Sequence, residues 1–394
     1  MKKIFKNIPQ YIWTLLGLIL GVLLGGFFPK DLAFVGVGVS SFLNGFITIV
    51  PLLIFFALSP AIASLVKKGK GGKLATYVVI WYVGTSVVAG FLGLVISSMF
   101  FEMAPSTGEN SFSDVMGMFQ MLSGQAGASL PLISILVAVL AGLLAIKIPP
   151  LDRFLQKVQS GISRSSGYLG YVMIPLVFFL GITLGIKSGA RESLNYYLLM
   201  SLYTLGLCLL WWLIFMFVIL KWIAKQPLKK VIKEYYLPTA VFAAGTCSSL
   251  ATLPINLVNV KKYGVKDDIA DFVLPVGSIL NMDMSAFAYV AYAPFILTII
   301  FDVQISWTVL LMAWPAIVLF TIAAPGLPAG MGTALWSSTL FASMVGLTGD
   351  VKTEFIATWI ALSGGIPDML RTATNCTSDG FTAMLFNHIF NKNK

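Results

Sequence analysis

The sequence predicts an all-α, multi-pass membrane protein with eight transmembrane helices and two opposed re-entrant hairpins. Three observations carry this prediction. Apolar residues make up 58% of the 394 and charged residues 11%, against roughly 45–50% and 25% in soluble globular proteins. Mean hydropathy is +0.89, and no water-soluble fold hides that much apolar surface in one core, so lipid solvates most of the chain. Second, basic residues gather in alternate loops. Third, two apolar segments are interrupted by Pro, Gly and Ser clusters and carry like flanks at both ends. Together these exclude a cytosolic enzyme, a secreted domain, and a nucleic-acid partner as the reason for the net charge of +10.

Apolar runs mark helices near 11–28, 38–65, 75–100, 116–146, 168–186, 195–220, 269–300 and 355–388, close to or beyond the ~20 residues that one span takes. The first run follows Lys2, Lys3 and Lys6 as a signal peptide would. No small-residue cleavage site closes it and Pro29-Lys30-Asp31 follows at once, so an uncleaved span is expected. Basic residues cluster at the N-terminus, at Lys67, Lys68, Lys70 and Lys73, and at Lys147, Arg153, Lys157 and Arg164. Further clusters are Lys221, Lys225, Lys229, Lys230 and Lys233, then Lys261, Lys262 and Lys266, and finally Lys392 and Lys394; together they hold 21 of the 26 lysines and arginines. The opposite loops keep Lys30, Lys187, Arg191 and Lys352, and the acidic Glu102, Glu109 and Asp114. Positive-inside therefore predicts both termini in the cytoplasm.

The same alternation treats the two broken segments as hairpins. Segment 236–260 has basic flanks and enters from the cytoplasmic side; segment 305–345 lies between Asp302 and Asp350 and enters from outside. Irregular backbone at membrane depth is tolerated where it lines a cavity, and paired opposed hairpins point to a midplane binding site. Cys208, Cys247 and Cys376 form neither a disulfide framework nor a zinc site.

Few ionisable groups remain inside apolar runs: Arg371, Asp283, Asp368 and Asp379, with Asp271 placed at an interfacial helix start. A charge at that depth costs about 2.5–3.5 kcal/mol on insertion scales and usually marks a pathway or a site. At 100° per residue, Asp368, Arg371, Thr372, Asn375 and Asp379 fall within one stripe about 100° wide. A local Asp368–Arg371 salt bridge at i,i+3 is the plainer reading, but it leaves Asn375 and Asp379 on the same face unexplained. A guanidinium suits a carboxylate and an Asp one turn away suits an ammonium, so a ligand bearing both would satisfy the pair, leaving Asp379 for a cation. Asp283 is expected mid-helix in the seventh run. Tyr82, Thr85 and Ser86 form a polar stripe on the third, open to two readings: helix-packing hydroxyls or oxygens for a hard cation. The tip Gly245-Thr246-Cys247-Ser248-Ser249 offers amides and hydroxyls to an anionic group, and Ala323-Ala324-Pro325-Gly326-Leu327-Pro328 is a flexible tip suited to gating.

At these residues the chain resembles the dicarboxylate/amino acid:cation symporter family, the glutamate and aspartate transporters. Thr246-Cys247-Ser248-Ser249-Leu250-Ala251-Thr252-Leu253-Pro254 is similar to the family's serine-rich first hairpin, Asn281-Met282-Asp283-Met284-Ser285 to its NMDGT, Gly326-Leu327-Pro328 to the second hairpin tip, and Asp368 through Asp379 to the last helix. The resemblance implies a homotrimer working as an elevator. Residues 1–65 (helices 1–2) and 105–190 (helices 4–5) would form a scaffold; 66–104 (helix 3) and 191–394 (helices 6–8 with both hairpins) would move across it. It implies substrate contacts from Arg371, Asp368, Thr372, Asn375, Ser248, Ser249, Cys247, Ser285 and Leu327, and no cofactor beyond coupling sodium ions. One sodium site would use Asp379, Gly277, Asn281 and Asn375; a second Tyr82, Thr85, Ser86, Asn281 and Asp283; a third carbonyls of Ile279, Thr321, Ile322 and Ala324. Departures from the family pattern are Leu250, Met284, Ser285 and Gly364, the last where an aspartate is usual, and Tyr289, where some members keep a glutamate.

The expected activity is sodium-coupled symport of glutamate or aspartate. Alternatives within the fold are a cystine-like, C4-dicarboxylate or neutral amino-acid substrate, or proton coupling; an anion-conducting channel is the rival class. A hydrolase lacks a nucleophile with a base, since the one histidine, His388, lies six residues from the C-terminus.

Overall fold

The computed structural model describes residues 10–69, 72–104, 130–323 and 331–391. In lipid the backbone has no partner but itself, which favours helices. Among the described residues there is no β-strand, only an isolated bridge between Ala104 and Ser306. The helices are α1 (Gln10–Phe27), α2 (Ala33–Gly69), α3 (Lys73–Phe100), α4 (Leu130–Ala145) and α5 (Pro149–Leu213), which runs on into a π-helix, Ile214–Ile223. They continue with α6 (Leu237–Thr246), α7 (Ser249–Tyr263), α8 (Asp267–Leu280), α9 (Asp283–Phe301), α10 (Trp307–Ala323), α11 (Met331–Met344), α12 (Gly349–Ser363) and α13 (Ile366–Asn391). Among the described residues, Lys73–Phe100, Ile174–Ile223 and the α8–α9 stretch Asp267–Phe301 are long and apolar enough to cross a membrane.

Two packing systems organise these elements. In the first, α1 lies along α5 and α2 packs on α4 and α5. The α1–α5 seam is built from glycines four apart on both helices, Gly21 and Gly25 against Gly181 and Gly185. A Cβ on Gly21 would run into the carbonyl of Phe178, one on Gly25 into that of Ile182, and one on Gly181 would sit 2.7 Å from that of Leu18. Small residues at this spacing let backbones approach where lipid supplies no hydrophobic drive. In the second, α9 is the central helix, buried along nearly all of Asp283–Leu297 and surrounded by α3, α5, α10, α11, α12 and α13. The pairs α6–α7 and α10–α11 are helical hairpins. The first turns at Cys247, which adopts a left-handed conformation (φ 47°); Ser248 then caps α7 by accepting from the amide of Ala251 at 3.3 Å.

Several expectations need correction. The seventh run is not one helix: α8 ends at Leu280, Asn281 and Met282 are non-helical, and Asp283 opens α9 rather than sitting mid-helix. The physical reason is a partner from another element, because the amide of Met284 donates to Asn375 Oδ1 at 2.9 Å. The eighth run also breaks, at Gly364 and Gly365, the latter at φ 63°. Arg153, Lys157 and Arg164, expected in a loop, lie on α5, which extends beyond the apolar run. Asp152 at its start pairs with Lys67 at the end of α2 at 2.6 Å. The fifth and sixth runs join across a bend at Gly189 (φ 75°). The second hairpin tip, with Ala324 and Leu327, and the loop holding Glu109 and Asp114 lie outside the described residues.

Replacing Gly21 with Leu should force α1 off α5 and cost about 1–3 kcal/mol as overpacking does. The expected result is a lower thermal midpoint in detergent, whereas Gly36→Leu, at a site with open space, should leave it unchanged.

Candidate functional site

The site lies where three interrupted elements meet: the α8–α9 break, the α6–α7 tip and the first turns of α13. Every member of the sequence stripe is buried there: Asp368, Arg371, Thr372, Asn375 and Asp379. Arg371 is 2% exposed, and a guanidinium so placed needs partners. Its Nη2 donates to Asp368 Oδ1 and to the carbonyl of Ser363, both at 3.0 Å, and its Nε to the carbonyl of Pro367 at 3.3 Å. The i,i+3 salt bridge is therefore present. Ser363 ends α12, so the helix break turns a carbonyl with no intrahelical partner toward the cation, at the negative end of that helix dipole. The guanidinium also stacks over Tyr289, 4.5 Å from the ring centroid, with Tyr292 at 5.8 Å.

One turn along α13, Asn375 joins the parts. Its Nδ2 donates to Ser285 Oγ at 3.2 Å and its carbonyl accepts from Asn281 Nδ2 at 3.1 Å. Asn281 Nδ2 also reaches Asp379 Oδ1 and Ser378 Oγ, each at 2.7 Å. Gly277 sits against this group: a Cβ there would press into the Asp379 carboxylate and stand 2.6 Å from Tyr82 Oη. On the far side of the break, Asp283 Oδ1 accepts from Thr85 Oγ1 at 3.0 Å and Ser86 Oγ at 2.9 Å. Two members of the α3 stripe, Thr85 and Ser86, thus face a carboxylate, while the third, Tyr82, donates its hydroxyl to the carbonyl of Val273 at 3.2 Å.

This arrangement leaves acceptors unused. Asn281 Oδ1 is buried without a hydrogen-bond partner, a costly state for such an atom, and Asp283 Oδ2 has no hydrogen bond of good geometry, only the indole of Trp211 interacting with its carboxylate. Neither Asp283 nor Asp379 has a basic partner among the salt bridges of the described residues. A set of carboxylate, amide and carbonyl oxygens is the donor chemistry of a hard cation, and the residues present fit such an ion. The described residues hold no cluster of three or more His, Cys, Asp or Glu suited to other metals.

Other predicted residues are placed less decisively. Ser249 approaches α13 through Cys376, whose Sγ lies 3.5 Å from its Oγ. Ser248 serves the tip's own turn, its carbonyl accepting from Thr252 Oγ1 at 2.8 Å, and Cys247 Sγ faces the carbonyl of Ala244. Ile279 and Thr321 with Ile322 lie on helices α8 and α10, which touch, while Ala324 lies outside the described residues.

Sequence reasoning noted Tyr289 only as a departure from the family pattern and missed Tyr292, Tyr235 and Tyr197. Tyr289 and Tyr292 follow Ser285 at i+4 and i+7, a spacing that puts all three on one face and is readable in the sequence. Tyr235 fastens the first hairpin to α13, donating to Asn256 Oδ1 at 2.7 Å and to the carbonyl of Thr377 at 3.1 Å; Asn256 Nδ2 in turn reaches the carbonyl of Cys376 at 2.7 Å. Tyr197 on α5 accepts from the amide of Ile366 at 2.8 Å and donates to the carbonyl of Gly364 at 3.3 Å, stapling the turn that presents Asp368 and Arg371. No local pattern announces it.

Tyr197→Phe removes that staple and should cost about 1 kcal/mol. Faster amide exchange at Ile366 and its neighbours, with unchanged exchange in α9, is the expected signature; uniform exchange across both helices would contradict it.

The profile of the sodium:dicarboxylate symporter family matches residues 11–389. The chain is 24% identical over 398 aligned residues to the serine/threonine transporter SstT of Campylobacter jejuni, covering 96% of this chain and 94% of that protein. It is 34% identical over 155 residues to glt-6 of Caenorhabditis elegans, provisionally named a sodium-dependent excitatory amino acid transporter, covering 39% of this chain and 27% of that protein. Human excitatory amino acid transporter 1 is 32% identical over 156 residues, again 39% of this chain and 27% of the relative; the match to these two thus spans about a quarter of their length. Matched along nearly its whole length, the chain belongs to the sodium:dicarboxylate symporter family, a family of membrane transporters.

Proposed function

We propose that the protein is a sodium-coupled symporter of an acidic amino acid, glutamate or aspartate. The observation that carries this reading is the pairing of two environments on one helix. On α13 a buried Arg–Asp pair lies about two to three turns from the buried carboxylate of Asp379, which has no basic partner among the described residues and is bonded to Asn281, whose Oδ1 is orphaned. Arg371 would receive the side-chain carboxylate, with Ser285 near it, and Asp368 the ammonium, helped by the carbonyls of Cys247 and Leu327, while Thr372, Asn375 and the tip residues Ser248 and Ser249 would orient the main-chain end. Leu327 of the second tip would close over it. Sodium would be held at Asp379, Gly277, Asn281 and Asn375, and at Asp283 with Tyr82, Thr85, Ser86 and Asn281; Ile279, Thr321, Ile322 and Ala324 would supply a third, carbonyl site.

The motion we infer is an elevator within a homotrimer in the plasma membrane, with cytoplasmic termini. Residues 1–65 and 105–190 would form the scaffold, and 66–104 with 191–394 the moving part. The glycine seam between α1 and α5 supports a rigid scaffold, and the bend at Gly189 falls at the proposed boundary.

A second reading, a small neutral hydroxy amino acid, is favoured by one specific feature. Asp368 already neutralises Arg371, so the guanidinium is not left unpaired without an anionic ligand; the relative aligned over nearly its whole length is named a serine/threonine transporter.

Competition separates them. In proteoliposomes with an inward sodium gradient, labelled aspartate should accumulate, excess glutamate should block it, and Arg371→Ala should lower uptake by about 100-fold or more, since breaking a buried pair costs about 3–5 kcal/mol. Uptake of serine but not aspartate would select the second reading. Gly277→Ala, which crowds Asp379 and Tyr82, should raise the sodium concentration needed for half-maximal uptake by about tenfold, equivalent to ~1.4 kcal/mol. An unchanged sodium dependence would remove Asp379 from the coupling sites.

A further inference from the structure

A groove of about 630 Å³ runs between α3, the π-helix and the end of α13. Its walls are apolar: Ile80, Val88 and Leu92 from α3, Ile214 and Ile219 from the π-helix, and Phe386 from α13. A volume of this size is typical of ligand sites, roughly 300–1,000 Å³. Ten residues of π-helix are unusual, since π geometry normally appears as single-turn bulges, often at functional sites. On α3 the groove extends from Tyr77 to Leu92, about 22 Å at helical rise, more than one leaflet of a ~30 Å hydrocarbon core.

Basic and aromatic residues stand next to the lining residues in the sequence. Lys73 precedes Tyr77 by one turn, Lys221 lies between the lining residues Ile219 and Ile223, and Lys225 follows; all three are exposed. Tyr77 is 53% and Trp222 68% exposed, the amphipathic rings expected at head-group depth. Further along, the groove reaches Gly84 and Thr85. Gly84 leaves a gap in the wall, with no atom within 4 Å of where its Cβ would stand. Thr85 is the residue whose hydroxyl donates to Asp283. An occupant therefore rests against the helical turn that presents hydroxyls to the proposed cation site.

We propose that this groove holds one anionic phospholipid per protomer, an acyl chain along the apolar wall and the head-group phosphate against Lys73, Lys221 and Lys225. Lysines beside a membrane span attract anionic lipid, and the wall is almost wholly apolar, as an acyl chain requires. By pressing on the Gly84–Ser86 turn, the lipid raises sodium affinity at Asp283; this second half rests on the sodium reading above.

The test uses the full chain in nanodiscs of phosphatidylcholine with or without phosphatidylglycerol. Native mass spectrometry should find one phosphatidylglycerol retained per protomer in the wild type. Gly84→Leu, which fills the groove, and the double variant Lys221→Gln/Lys225→Gln should both lose it. Sodium should stabilise the wild type at about fivefold lower concentration with phosphatidylglycerol than without, a modest coupling, and this difference should vanish in Gly84→Leu. Equal retention of the two lipids by the wild type would overturn the proposal, as would phosphatidylglycerol retained unchanged by both variants. So would crosslinks showing another segment of this chain or a second copy in the groove. If sodium stabilises no variant in any lipid while the retention pattern holds, the sodium reading fails and the lipid site stands.

Discussion

Charge at lipid depth is the constraint on which the rest of this structure depends. Arg371, Asp368, Asp283 and Asp379 are all buried in the membrane-embedded bundle, and none is tolerated there without partners. Continuous helices cannot supply them, because their backbone groups are already bonded. The chain responds by breaking helices where the charges gather. The Gly364–Gly365 break frees the Ser363 carbonyl for Arg371, and the Asn281–Met282 break brings an amide and a carboxylate together around Asn375 and Asp379.

These breaks would be weak points if nothing held them. Long-range side chains do so. Asn375 bonds across the α8–α9 break, Tyr197 reaches from α5 to the start of α13, and Tyr235 with Asn256 fastens the first hairpin to the middle of α13. Trp81 on α3 adds a bond to Thr382 at 3.1 Å. The polar network thus rigidifies a core that lipid alone would not order, and a satisfied network of this kind specifies one geometry. Two of the buried polar atoms without a bond of good geometry among the described residues, Asn281 Oδ1 and Asp283 Oδ2, lie at the proposed cation site.

Much of this was legible in the sequence because it follows helical periodicity. The helical character of the chain and the stripe from Asp368 to Asp379 need only a 3.6-residue repeat and lipid as solvent, and the first hairpin tip is readable from its Gly, Ser and Pro cluster. What failed was local continuity. Asp283 reads as mid-helix because nothing near it breaks a helix; the break is held by Asn375, 91 residues away from Met284. Tyr197 lies 169 residues from Ile366, and only the folded chain reveals the pairing. The π-helix likewise leaves no mark in an unbroken apolar run. Tyr289 and Tyr292 are different: their spacing from Ser285 was readable, and their role beside Arg371 needed only the question of what covers a buried guanidinium.

The central claim is that the orphaned oxygens around Asp283 and Asp379 and the Arg371–Asp368 pair form one coupled site. The direct measurement is the equilibrium affinity of the purified protein for aspartate as sodium is titrated at constant ionic strength with potassium. Linkage requires any coupling to be reciprocal, so the account predicts that aspartate affinity climbs steeply with sodium, and sodium affinity with aspartate. Aspartate binding that is tight and indifferent to sodium would contradict it.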